Sequence, residues 1–174
     1  MDLNESEEVA KVARGERAAF ARLMTVHAPA IEAYALRISA NHALAQDVVQ
    51  EVMLRFWSKA ASFDPTKARL TTWLHHIAHN LCIDHLRVAN RFADARVDRA
   101  EPEAPDVNES PCGAGVESAL GQLPERQRNA LVLTYYQELS NREVAEIMGL
   151  STRAVESLLV RARASLKEKL EAVQ

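Results

Sequence analysis

The chain is poor in the residues that build cross-linked or turn-rich folds. It has only two cysteines, Cys82 and Cys112, far apart in sequence. Two distant thiols make neither a disulfide framework nor a paired zinc ribbon, and they point to a reducing compartment. Five glycines and six prolines in 174 residues argue against an all-β fold. No apolar run approaches the ~18–20 residues of a membrane span. The start, Met1-Asp2-Leu3-Asn4-Glu5, lacks the basic end and apolar core of a signal peptide. The expectation is a soluble, cytoplasmic protein. Positive charge is also in short supply: 21 Lys and Arg face 24 Asp and Glu, a net of −3. That excludes a freely binding, strongly basic nucleic-acid protein.

Hydrophobic residues make up 48% of the chain, enough for a core and too many for global disorder. Ala, Leu, Glu and Arg are abundant, and all four favour helices. The expected fold class is all-α.

The clearest break runs over 94–115. It holds Pro102, Pro105, Pro111, Gly113 and Gly115 and no sustained apolar period. Its two arginines, Arg96 and Arg99, face six carboxylates, giving the tract a net charge of −4. This composition predicts a flexible acidic linker between two small helical domains, 1–93 and 116–174. With no apolar stripe to hold them together, the two lobes are expected to move independently until a partner fixes them.

In the first lobe Asn4 and Glu7 fit a capping pattern. Ala18, Phe20, Leu23, Met24 and His27 follow a helical period that Pro29 interrupts, and Ile31, Tyr34, Ala35 and Ile38 resume it. A further helix is predicted after Asn41 to about Lys59, with apolar positions Leu44, Val48, Val49, Val52, Met53, Phe56 and Trp57. Phe63-Asp64-Pro65-Thr66 reads as a turn. A last helix begins near Thr71 and carries Trp73, Leu74, Ile77, Ala78, Leu81, Cys82 and Leu86.

In the second lobe Pro124 suits a helix start, and Ala130, Leu131, Leu133 and Thr134 continue the period. The run from Leu139 to Leu158 is a helix-turn-helix by mechanism as well as pattern. Ser140 and Glu143 form an S-x-x-E capping box. Ala145 is small where two helices approach, and Gly149 sits where the chain needs a left-handed residue. Ser151 or Thr152 can cap the second helix, and Val155 and Leu158 return to the core. That helix would present Arg153, Glu156 and Ser157 outward. Arg forks onto guanine and Glu accepts from cytosine. Arg161, Arg163, Lys167 and Lys169 continue it toward phosphates. The bland alternative is a helical hairpin with solvated charges.

Other chemistry has little support. His75, His79 and Cys82 could share a helix face as a metal site, but there is no HExxH and His76 and His85 surround the same helix. No Gly-rich phosphate loop, G-x-S-x-G elbow or P-loop occurs.

Two further segments resemble a known family. Asp47-Val48-Val49-Gln50-Glu51-Val52-Met53-Leu54-Arg55-Phe56-Trp57 resembles the core-polymerase-binding helix of bacterial sigma factors. Trp73 to Arg87 resembles their promoter-melting, minus-10-reading helix. The helix-turn-helix with its Arg161-Ala162-Arg163 tail resembles their minus-35-reading domain. In order and spacing the chain resembles a group 4, extracytoplasmic-function (ECF) sigma factor of the sigma-70 family.

The resemblance implies site residues. Asp47, Gln50, Glu51, Leu54 and Arg55 match the polymerase-docking helix. Lys67, Arg69, Trp73, His76, Asn80, Asp84 and Arg87 match the surface that meets the minus-10 strand, with Phe63 to Arg69 matching a loop that captures a flipped base. Ser151, Thr152, Arg153, Glu156, Ser157, Arg161 and Arg163 match the minus-35 surface. Glu156 and Leu158 stand where members commonly carry basic residues. The implied partners are core RNA polymerase, promoter DNA and an anti-sigma factor acting in a stress or envelope response. No cofactor, metal, enzymatic activity or membrane insertion is implied. A net charge of −3 suits a subunit that polymerase delivers to DNA, because free binding rests on phosphate neutralisation. The acidic linker would mimic RNA in the polymerase channel.

One rival is a stand-alone helix-turn-helix regulator whose first lobe senses a ligand, which predicts tight DNA binding without polymerase. The other is a metal-dependent helical enzyme using His75, His79 and Cys82.

Overall fold

The computed structural model describes residues 3–94 and 114–171, and every element among them is helical. The acidic linker expected over 94–115 lies outside the described residues, except at its ends. The first lobe is α1 (Leu3–Ala13), α2 (Arg17–Ser39), α3 (His42–Lys59) and α4 (Leu70–Asp94). The second is α5 (Ala114–Gly121), α6 (Glu125–Leu131), α7 (Asn141–Met148) and α8 (Thr152–Glu171). Asn4, expected as a cap, falls inside α1.

Helix α2 runs through Pro29 rather than stopping there. A proline inside a helix removes one backbone donor and clashes with the carbonyl four residues back, at roughly 3 kcal/mol. Its neighbours outweigh that. Ala19, Leu23, His27, Ile31, Tyr34, Ala35 and Ile38 form one buried stripe on both sides of Pro29. Each large apolar side chain in such a stripe contributes about 1.5–3 kcal/mol. Pro29 itself is exposed, away from the stripe.

Helix α3 begins and ends as its sequence predicts. Asn41 caps it, the side-chain oxygen accepting from the Leu44 amide at 3.0 Å. Val48, Val52, Met53 and Phe56 bury its inner face. An aromatic cluster closes the lobe. Phe20 stacks on Phe56 with centroids 5.9 Å apart and meets Trp57 edge-on at 5.2 Å. Trp73 of α4 meets Phe56 and Phe63 edge-on, at 6.2 and 5.8 Å.

In the second lobe the chain after α6 widens into a π-helical turn, Val132–Tyr136, where the periodicity predicts a plain continuation. The helix-turn-helix then forms as predicted. Ser140 Oγ accepts from the Glu143 amide, and the Glu143 carboxylate accepts from the Ser140 amide. A cap of this kind is worth ~1 kcal/mol. Gly149 ends α7 with φ of 62°, which an L side chain adopts only under strain. Ser151 Oγ accepts from the Ala154 amide at 3.2 Å and starts α8. Val155, Leu158, Leu159 and Ala162 bury its inner side.

The two lobes are packed against each other. Helix α4 lies against α7, and α2 lies against the π-helical turn, α5 and α6. The directional contacts across the seam are polar. Thr72 Oγ1 donates to Glu143 Oε1 at 2.8 Å, and the Gln137 side-chain amide meets His75 Nε2 at 3.1 Å. The Arg37 guanidinium lies 4.3 Å from the Tyr136 ring centroid. Beneath them the buried apolar residues of both lobes join into one core, and polar pairs of this kind leave no periodic signal in the sequence.

Candidate functional site

Three exposed surfaces carry the residues singled out from the sequence, each on the outer face of a helix whose inner face builds the core. On α3, Asp47, Gln50 and Leu54 are exposed, and Glu51 and Arg55 are half-buried beside them. Spacings of three and four residues place all five on one stripe. Glu51 Oε1 accepts from Arg55 Nε at 2.6 Å, one turn away. Leu54 is 64% exposed, an apolar side chain among charges. The stripe presents two carboxylates around an apolar centre.

On α4, His76, Asn80, Asp84 and Arg87 are all exposed and again share one stripe. His76 Nε2 lies 3.5 Å from the Asn80 side-chain nitrogen, and Asp84 and Arg87 approach to 4.0 Å. Trp73 heads the same stripe but is half-buried in the aromatic cluster. The loop before α4 is organised by Asp64, whose Oδ1 accepts from the Thr66 hydroxyl at 2.7 Å and the Thr66 amide at 3.0 Å. The hydroxyl bond, then the amide bond and Lys67, hold its carboxyl below the ordinary range. Lys67 is exposed in this loop, 3.4 Å from Asp64. Arg69 points to the second lobe, 3.6 Å from Glu143.

The opposite face of α4 carries His75, His79 and Cys82. Each is buried, and Tyr34 lies beside both imidazoles, its ring centroid 5.8 Å from that of His75. His75 Nδ1 donates to the Thr71 carbonyl at 2.8 Å, and His79 Nδ1 lies 2.9 Å from the Tyr34 hydroxyl. Burial pushes the Cys82 thiol up to about 12. Among the described residues no group of three His, Cys, Asp or Glu side chains is placed to hold a metal ion.

On α8, Ser151, Thr152, Arg153, Glu156, Ser157, Arg161 and Arg163 are all exposed, from the cap through the third turn. The first turn offers a hydroxyl, a guanidinium and a carboxylate, the groups that read base edges. Arg161 Nε and Arg163 Nε bond back to the Ser157 and Leu159 carbonyls, both at 3.3 Å, so both side chains lie back along α8 toward its N-terminal end. Val160 lies on the same face and is 59% exposed. Sequence reading passed over it, although an apolar residue seven positions after Arg153 was a visible signal. Its chemistry suits a thymine methyl.

Sequence reading also passed over Thr72, Gln137 and the second role of Glu143. Burial raises the Glu143 carboxyl, but the Ser140 hydroxyl and amide, Thr72 and the Arg69 charge outweigh that, and it titrates below the ordinary 4.5.

Comparison with known proteins matches this organisation. Residues 23–92 match the family model Sigma-70 region 2, and residues 114–166 match Sigma-70, region 4. The chain is 32% identical over 146 residues to the ECF RNA polymerase sigma factor RpoE of Cereibacter sphaeroides, covering 82% of this chain and 81% of that protein. It is similar to the solved structure of CnrH in complex with the cytosolic domain of CnrY, with a TM-score of 0.74, 30% identity, and 98% and 99% of the two chains covered. It is also similar to the sigma factor RpoE in complex with the anti-sigma factor NepR from Bartonella quintana, with a TM-score of 0.73, 27% identity, and 89% and 98% covered. With a region 2 followed by a region 4, this chain belongs to the ECF RNA polymerase sigma factors of the sigma-70 family.

Proposed function

We propose that the protein is a cytoplasmic transcription initiation factor, not a catalyst, that docks core RNA polymerase through α3 and reads a two-element promoter through α4 and α8. The observation that carries this reading is the separation of three exposed polar stripes onto three helices, each backed by its own buried face. Lys67, Arg69 and the α4 stripe meet the minus-10 strand, and the first turn of α8 reads the minus-35 element. An anti-sigma factor holds the protein inactive, as the complexed structures of its relatives suggest. Run-off transcription with core polymerase and a promoter library tests the whole reading. Promoter-specific transcripts support it; active core enzyme that yields none overturns it in favour of a stand-alone regulator.

Two residue-level outcomes follow. Replacing Glu51 by Ala weakens core polymerase binding while circular dichroism shows unchanged helicity, because the lost carboxylate is on the outer face of α3. Unchanged affinity in a core titration would place docking elsewhere. Replacing Arg153 by Ala relaxes preference at one or two base pairs of the minus-35 element, at about 1–3 kcal/mol. Replacing Arg163 by Ala weakens binding to all sequences alike and lowers the salt slope by about 0.9. Selection from a randomised minus-35 library, with each variant bound to core polymerase, separates the two roles.

A further inference from the structure

The Glu143 carboxylate is divided between two tasks. Its Oε2 belongs to the cap of α7, accepting from the Ser140 hydroxyl at 2.7 Å and the Ser140 amide at 2.9 Å. Its Oε1 faces the other lobe, accepting from Thr72 Oγ1 at 2.8 Å, with Arg69 Nη1 at 3.6 Å. Thr72 is buried under this contact. Two more contacts cross the same seam. His75 meets Gln137, and Arg37 stacks on Tyr136 while its Nε finds no partner among the described residues.

This closed arrangement cannot span a promoter. Elements centred at minus 10 and minus 35 lie about 25 base pairs apart, ~85 Å along a duplex at ~3.4 Å per pair. Thr72 to Asn80 is ~12 Å of α4, and Glu143 to Arg153 is at most ~23 Å of α7 and turn. With the side chains of the Thr72–Glu143 bond between them, the Asn80 and Arg153 backbones are no more than ~45 Å apart. Closure also occupies Arg69, one of the cations proposed to meet the minus-10 strand, while the outer face of α8 stays exposed.

From this geometry we infer that Glu143 is a latch, its free oxygen holding the lobes closed so that the uncomplexed factor is off by itself and opens on docking to polymerase. The inference rests on the sigma factor reading above. Opening breaks the Thr72 and Arg69 contacts but keeps the cap, because the cap uses the other oxygen. The helix-turn-helix therefore stays folded through the transition.

Two variants of the full chain isolate the latch. Glu143→Gln keeps an acceptor for Ser140, since Gln serves in a capping box, but turns an amide NH2 toward Arg69. Thr72→Val removes the donor without touching α7. A hydrogen bond to a charged group has an effect large enough that either change raises the open fraction about tenfold. Small-angle scattering of the wild-type chain gives a radius of gyration near the ~16 Å of a compact chain of this length. Holoenzyme formation, followed by anisotropy of labelled factor with core polymerase, is about tenfold faster for each variant, and helicity is unchanged. An expanded wild-type chain overturns the latch. So do folded variants that are as compact as wild type and no faster to dock. Should one variant lose its helicity, the other decides. If wild-type factor and core polymerase form no holoenzyme, the sigma factor reading fails, and scattering of the variants still decides whether the latch closes the lobes.

Discussion

Phe56→Ala is expected to cost about 3–5 kcal/mol and to remove polymerase docking with the fold of the first lobe. Phe56 is 1% exposed on the inner face of α3, directly behind the stripe of Asp47, Glu51 and Leu54. It stacks on Phe20 and receives Trp73 edge-on, so truncation opens a cavity bordered by two rings that cannot both collapse into it. Domains of this size have a total stability of about 5–15 kcal/mol, and a loss of this order unfolds a large fraction of the chain at 37 °C. Urea denaturation followed by circular dichroism measures the loss. A lowering below about 1 kcal/mol would mean that the cluster repacks and that α3 is held by other contacts.

Acid is expected to act through the buried face of α4 before it reaches most carboxylates. Burial, with the nearby charges of His76 and Arg87, pushes His79 down to about 4 from the ordinary 6.5. Burial lowers His75 as well, against the bonds it makes to Thr71 and Gln137. Both rings are neutral in the folded chain, and the unfolded chain takes up their protons first. Stability is therefore full above the unfolded value near 6.5 and declines as the pH falls toward 4, by about 3 kcal/mol from His79 alone. Denaturant midpoints measured from pH 7.5 to 4.5 follow this slope. His79→Gln should flatten the profile, while a profile already flat in the wild-type chain would show that His79 is protonated in the folded state.

Much of this fold is legible in the sequence because it is built from caps and apolar periods. Asn41 marks the start of α3 and Ser140 with Glu143 the start of α7, since short polar side chains compete for the backbone donors that a helix leaves unpaired. Gly149 marks the helix end by its left-handed backbone. The residues singled out on α3 and α4 come from the resemblance to sigma factors, while those on α8 are also marked by the helix-turn-helix pattern itself. What the sequence conceals depends on summed energies or on cross-chain pairing. Pro29 looks like a break because its local cost is visible and the burial that offsets it is not. The π-helical turn at Val132–Tyr136 changes the backbone without changing the order of apolar residues. The seam between the lobes joins Thr72 to Glu143 and His75 to Gln137, pairs of polar residues 71 and 62 positions apart, with nothing local to announce them.

The division of one carboxylate between a cap and a cross-lobe bond bears on how such a chain diverges. A change at position 143 alters folding and closure together, so that position is doubly constrained under selection. Position 72 is different. A serine, valine or alanine there leaves α7 untouched and resets only the balance between closed and open. Descendants of this sequence can tune their basal activity from the α4 side in single steps, without first repairing a helix-turn-helix. Variation should therefore collect at position 72 and be scarce at position 143 among lineages that keep the seam.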